Sequence, residues 1–287
     1  MTHHAPTHIV SIPILVRSLR FLSLHSFALS CLLAASVALP AQTANLANQT
    51  PDSALPNAPA PQDPDPVTLR NSPVHILKDQ AVIWTSPARI RPHDLIWLVP
   101  LAGAEAAAIA TDRHAMTSVV SHDASFNQAN TNASNISIGG YIALPVALFG
   151  YGQLHQDAHA REAGILGGEA LIDGVAVEQG MKLIFWRERP TTDGDRGRFF
   201  QGNAGVDTSF PSSHSVLAWA AAASLAGEYR SPWIRASLYT AATGVSLTRV
   251  MGQQHFPGDV LAGSAAGWLV GHYVFRAHHR HHAAAER

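Results

Sequence analysis

The stretch Pro211–Tyr229, PSSHSVLAWAAAASLAGEY, decides the fold. After its opening Pro-Ser-Ser-His it runs without a break through residues that favour helix, with no strand-like alternation to compete. Small residues, Ala218 and Ala220 to Ala223, would let neighbouring helices approach closely. Working outward, Gly, Ser, Asp and Pro mark off similar segments at roughly 94–111, 137–153, 162–188, 232–249 and 258–276. With 214–229 at its centre, the expected fold is all-α, a bundle of about six helices within residues 93–276. Gly263 and Gly267 extend the small-residue pattern into the last helix.

The 287-residue chain has one cysteine and a net charge of −1. Cys31 alone gives neither a disulfide framework nor a thiolate metal site. Scattered basic residues leave no nucleic-acid footprint. Arg17 and Arg20 precede an apolar run from Phe21 to Leu39, with the small residues Ala38 and Ala41 around its end. Residues 1–41 therefore read as a signal peptide or N-terminal membrane anchor, and the rest as exported, periplasmic or cell-membrane associated. Residues 42–66 are a Pro-rich disordered linker. Residues 67–92 form a short amphipathic lead-in that packs through scattered hydrophobics such as Val74, Leu77 and Ile83. The end of the chain, 277–287, with His278, His279, His281 and His282, reads as a solvated, disordered tail.

A mean hydropathy of +0.06 is low for six membrane spans. The third segment carries Glu169, Asp173 and Glu178, which lipid tolerates only when they face an interior. Yet 94–111, 214–229 and 258–276 are apolar enough to enter a bilayer. A membrane-surface helical domain and a polytopic protein both fit.

Three pieces carry the chemistry. In Lys182-Leu-Ile-Phe-Trp-Arg-Glu-Arg189-Pro190, two turns of helix would place Lys182 and Arg189 on one face, with Arg187 and Glu188 as a local surface pair. In Pro211-Ser212-Ser213-His214, Ser212 or Ser213 caps the central helix, whose free N–H groups form an anion site, and His214 is placed to donate a proton. In the third piece, Arg249 offers a planar fork for phosphate. His255 lies four residues before Asp259, a spacing that lets the carboxylate accept from one ring nitrogen and leave the other as nucleophile. Between the first two pieces, Asp193, Asp195, Arg196, Arg198, Phe199 and Phe200 would border the mouth of the site.

Taken together and in this order, these residues resemble the type 2 phosphatidic acid phosphatase superfamily, which also includes bacterial non-specific acid phosphatases and vanadium haloperoxidases. Its signature is Lys, six residues, Arg-Pro; then Pro-Ser-Gly-His; then Ser-Arg, five residues, His, three residues, Asp. Lys182, Arg189 and Pro190, then Pro211, Ser212 and His214, then Arg249, His255 and Asp259 match it. Ser213 replaces the glycine and Thr248 the serine.

The resemblance implies a metal-independent phosphatase with His255 as nucleophile, Asp259 orienting it and His214 as general acid and base. Lys182, Arg189, Ser212, Ser213 and Arg249 would hold the phosphate. No cofactor or metal is called for, and the expected partners are a phosphate ester, above all a lipid phosphate, and a membrane. The alternatives are a vanadium-dependent haloperoxidase, with vanadate in the same cradle, and a non-catalytic helical membrane or scaffold protein. Two histidines working as base and acid predict a bell-shaped activity profile between about pH 5 and 7.5.

Overall fold

A computed structural model describes residues 67–201 and 207–279. The leader and linker assigned to 1–41 and 42–66 lie outside the described residues. Among the described residues the chain is all-α. Its helices are α1 (Ser72–Thr85), α2 (Leu95–His114), α3 (Ala124–Leu154), α4 (Ala158–Phe185), α5 (Ser213–Glu228), α6 (Pro232–Met251) and α7 (Pro257–His278). Short 3₁₀ turns link α1 to α2, and a π turn, Ala115–Val119, follows α2.

The middle of α5 is the core. Ala218, Ala221 and Ala222 pack with Ile138 and Tyr141 of α3 and with Ala242 and Val245 of α6. On its other side, Ala220 packs with Leu166, Ala170 and Val177 of α4 and with Val270 and Val274 of α7. The small-residue expectation holds most tightly between α5 and α7. A Cβ at Gly263, Gly267 or Gly271 would collide with the carbonyl oxygens of Ser212, Val216 or Ala220 respectively. These glycines, one turn apart, let α7 lie directly against the backbone of α5.

Several boundaries differ from the sequence reading. Helix α3 starts at Ala124 rather than near residue 137, because Asp123 caps it with a 2.8 Å bond from the Phe126 N–H. Its first half is polar (Asn127 to Asn135), so no apolar period announces it. Helix α4 stops at Phe185, where Trp186 turns left-handed with φ 40°. Lys182 therefore lies on the helix and Arg189 beyond it, and the two do not share a helical face. The Pro190 ring explains why the helix does not resume, since it disfavours helical backbone at Arg189.

At the far end, α7 continues through His278, and His279 is its C-cap. These two residues are part of the fold and not of a solvated tail. Lead-in helix α1 docks on α4, but its fully buried residues are His75 and Asp79, while Val74 and Leu77 are exposed. Its packing is mixed: Ile83 joins the apolar cluster of Leu166, Ala170 and Val177 as expected, while the residues it buries completely are polar.

Two helical stretches, Pro92–Val119 and Ala124–Leu154, are long and apolar enough to cross a membrane. Ile96, Val99, Ile136, Val146 and Leu154 on them are exposed. By contrast Glu169, Asp173 and Glu178 of α4 all face the interior.

Candidate active site

The N-termini of α5 and α7 meet at one end of the bundle, where α4 and α6 finish. The Ser212 N–H donates to the Asp259 carbonyl at 3.0 Å, tying the two helix starts together. The start of α5 thus directs free N–H groups into this region, while α7, whose Pro257 has no N–H and whose Gly258 N–H is bound by Asp112, adds the positive end of its dipole. Lys182 in the last turn of α4 and Arg249 in the last turn of α6 add cations from the flanking helices.

His255 sits just before α7 and is 1% exposed. Its Nδ1 lies 2.8 Å from the Ser209 carbonyl, which can only accept. That contact fixes the proton on Nδ1 and leaves Nε2 with its lone pair. The Asp259 carboxylate stands 3.6 Å from Nδ1, so it acts on the ring by charge. The expected direct bond from carboxylate to imidazole is replaced by one to a backbone carbonyl. Asp259 is already saturated: it accepts from Arg187 Nη1 at 2.7 Å, the Ser209 hydroxyl at 2.5 Å and the Phe256 N–H at 2.9 Å. Burial pushes its carboxyl up, but His255, Arg187 and the Ser209 hydroxyl outweigh it and hold it below the ordinary value.

Arg187 is the residue that the sequence misplaced. It is 2% exposed and no surface partner of Glu188. Its guanidinium bridges Asp259 and Asp112, each at 2.7 Å, and its Nε donates to the Gly197 carbonyl at 3.0 Å. Phe199 and Phe256 stack on it, with centroids at 4.6 and 4.3 Å. Gly197, at φ 55°, must be glycine here, because a Cβ would meet the Phe256 ring. Glu188 instead pairs with Arg198, which also reaches Asp193. Asp112, at the end of α2, accepts the Gly258 N–H at 2.9 Å and so anchors the start of α7. The only trace of these roles in the sequence is an acid that closes a long apolar run and an arginine embedded between aromatic residues.

The remaining predicted residues converge on His255. His214 bonds Asn135 of α3 through Nε2 at 3.0 Å. Burial, then Arg249, His255, Lys182 and Arg189, lower its pKa to about 3. That set of neighbours places all three predicted cations and both histidines in one electrostatic cluster. Burial also brings His255 down to about 4, against the opposing pull of Asp259. Arg249, lowered by burial and by Arg189 to about 10, stays protonated at neutral pH. Arg189 is held beside His255 by a 3.1 Å bond to the Gln254 carbonyl and is paired with Asp207.

Ser212 and Ser213 divide their roles. The Ser212 hydroxyl is fully buried at the N-cap yet has no hydrogen-bond partner, and neither has Arg249 Nε. These two donors are left over in the cradle. Ser213 Oγ donates to Glu178 Oε1 at 2.5 Å, and Glu178 also pairs with Lys182 at 2.8 Å. The Ser213 hydroxyl is therefore committed away from any phosphate, and only its backbone N–H remains available. Its backbone is ordinary helix, so replacing the glycine costs no strain. Phe199 packs edge-on against Phe185 and Phe210, while Phe200 is exposed at the rim.

Residues 163–283 match the family model of the PAP2 superfamily. This stretch is similar to that superfamily. The PAP2 segment contains every site residue predicted from the sequence, whereas Asp112 and Asn135 reach it from outside. Two curated relatives align with parts of the chain. A lipid A 1-phosphatase of Porphyromonas gingivalis is 42% identical over 65 residues, 22% of this chain and 15% of that protein. A lipid A 1-phosphatase of Rhizobium etli is 38% identical over 94 residues, 31% of this chain and 39% of that protein. The chain thus matches well under half the length of either relative. No solved structure matches it.

Proposed function

We propose that this chain is a membrane-associated, metal-independent phosphatase that hydrolyses lipid phosphate monoesters or pyrophosphates through a phosphohistidine on His255. One observation carries the reading: two buried donors without partners, Ser212 Oγ and Arg249 Nε, lie in the same cluster as a buried histidine whose tautomer is set for attack. Buried polar groups are nearly always satisfied. An oxyanion would satisfy both of these.

In this mechanism Nε2 of His255 attacks phosphorus in line, and the bond to the leaving oxygen breaks. His214 delivers a proton to that oxygen and then takes one from the water that hydrolyses the phosphohistidine. The products are inorganic phosphate and the leaving group, an alcohol from a monoester or a monophosphate from a pyrophosphate, and His255 is regenerated. Ser212 Oγ, Lys182, Arg189, Arg249 and the N–H groups of α5 hold the equatorial oxygens as charge builds. The low pKa of His255 keeps it neutral, ready to attack, at neutral pH. His214 is also neutral without a ligand. A bound phosphate dianion supplies the opposite charge that lets it hold a proton.

The names of the two relatives support a phosphate carried by a lipid, and the 1-phosphate of lipid A is the first such substrate to test. The exposed apolar helices support membrane association. The test measures phosphate release in EDTA from lipid A, a phosphatidate and an aryl phosphate, beside His255→Ala. Acid-labile, base-stable label from a ³²P substrate is trapped in parallel. Activity in EDTA with label on the wild type alone is expected. Undiminished turnover in His255→Ala would overturn the mechanism. Halide oxidation by added hydrogen peroxide in the presence of vanadate, with no phosphate release, would favour a haloperoxidase.

A further inference from the structure

A second polar cluster lies at the other end of the bundle. His75 of α1, Glu169 of α4 and His278 at the end of α7 each offer a ligand atom within 4.8 Å of the other two. His278 is nineteen residues along α7 from Asp259, which puts the cluster about 28 Å from the phosphate cradle. His75 and Glu169 are each 2% exposed. His75 Nδ1 is 3.2 Å from Glu169 Oε1, and the His75 and His278 rings stack with centroids 4.3 Å apart.

The buried atoms around this point are under-satisfied. His75 Nε2, Glu169 Oε2 and Asp173 Oδ2 have no hydrogen-bond partner. Asp79 and Asp173 add two more buried carboxylates. Among the described residues no Lys or Arg pairs with any of the three acids; Asp79 and Glu169 pair with histidine, and Asp173 bonds to Gln80. Buried carboxylates without a fixed cation are costly, and a metal ion removes that cost.

We infer that His75, Glu169 and His278 form a binding site for a divalent transition ion of the zinc class. Two imidazoles and one carboxylate suit such an ion, whose ligand atoms stand about 3.4 Å apart in a tetrahedral shell. Small side-chain shifts close the present set to that spacing. Asp79 accepts from His278 Nε2 at 2.8 Å and from the Tyr273 hydroxyl at 3.1 Å. It fixes the His278 ring as a carboxylate does behind a metal-bound histidine. The ion would join three segments far apart in sequence: the lead-in helix, the middle of α4 and the C-terminus of α7. Its role is to hold the fold, and the inference is independent of the phosphatase reading.

The test titrates chelator-stripped full-length protein with Zn²⁺ and follows both binding and thermal unfolding. A control replaces His3, His4, His279, His281 and His282 with asparagine, which removes the paired histidines at both ends of the sequence and the histidine of the neighbouring Glu162, Glu228 and His279 group. Wild type and control are each expected to take up one tight equivalent. At zinc 100-fold above Kd, Tm should rise by about 5–10 °C. Asp79→Asn should weaken binding about 10–100-fold, and Glu169→Gln by more. Loss of the tight equivalent in the control, or its survival in Glu169→Gln, would overturn the site, as would no uptake by wild type. Should Glu169→Gln not fold, Co²⁺ in the control protein decides: an intense visible band of a four-coordinate ion supports the site, and a weak, water-like spectrum refutes it.

Discussion

The two ends of the bundle are built from similar residue types and come out opposite in sign. At the α5/α7 start, the buried atoms without partners include the donors Ser212 Oγ and Arg249 Nε, among three cations, and the one unpartnered carboxyl there, Glu105, lies on the Arg187 side. At the α1/α7 end they include the carboxylate oxygens of Glu169 and Asp173 beside His75 Nε2, with no Lys or Arg pairing to those acids among the described residues. Leftover donors call for an anion, and leftover carboxylate oxygens call for a cation. Histidine occurs at both ends, so its presence alone says nothing about which ligand each end takes. The neighbouring charges decide.

The largest expected effect that would break this contrast is on the proposed nucleophile. His255→Ala should lose phosphatase turnover by about 10⁴-fold or more while staying folded, as measured by kcat and circular dichroism. Next comes the buried arginine that supports the anion end without touching substrate. Arg187→Ala leaves Asp112 and Asp259 buried and unpaired, and should destabilise the protein by about 3–5 kcal/mol in denaturant unfolding. A loss below 1 kcal/mol would mean that the Arg187 network does not hold the start of α7.

Ser212→Ala sharpens the argument from unpartnered donors. Its hydroxyl makes no protein hydrogen bond, so stability should hardly change. Turnover should still fall by about 10²-fold, the value of one preorganised donor to a transition-state oxyanion. A loss of stability with unchanged kcat would remove that donor from the phosphate site.

The pH profile is a finer test. The bell between about pH 5 and 7.5 assumed ordinary histidines, but burial and clustered cations lower both. In free enzyme, His255 becomes protonated, and so loses its attacking lone pair, only as pH falls through about 4. The acid limb of kcat/KM is expected there. Because His214 is neutral before binding, the proton arrives on the substrate monoanion. The alkaline limb should then follow the second ionisation of the phosphate, near pH 6 for a simple alkyl ester. It should move when the leaving group changes. An acid limb at pH 6.5 would show that His255 is not held neutral by burial.

The smallest effect belongs to Ser213→Gly, which restores the family residue. It removes the bond to Glu178 and leaves the helix N–H in place. Activity should stay within about 10-fold and stability should fall by about 1 kcal/mol. A larger rise in KM than in any other variant would return the Ser213 hydroxyl to the phosphate site.

The candidate site residues were legible in the sequence because their grouping depends on spacing that a short segment fixes. His255 and Asp259 span one turn at a helix start, Ser212 and His214 flank another, and neither pair needs long-range packing to come together. The all-α bundle was legible for the same local reason: unbroken Ala- and Leu-rich runs between Gly, Pro and Asp have no competing period. Arg187 was not legible. Its two carboxylates come from residues 112 and 259, and an arginine beside a glutamate looks like a surface pair until the chain turns at Trp186. Nor was the cluster of His75, Glu169 and His278, whose members are separated by about a hundred residues each and meet only because α1 and the end of α7 dock on α4. Sequence by itself determined which groups can do chemistry, since that follows from residue type and local spacing. Tertiary structure alone decided which of them are desolvated, which are already satisfied and which are left over, because burial and partnering are properties of the packed chain.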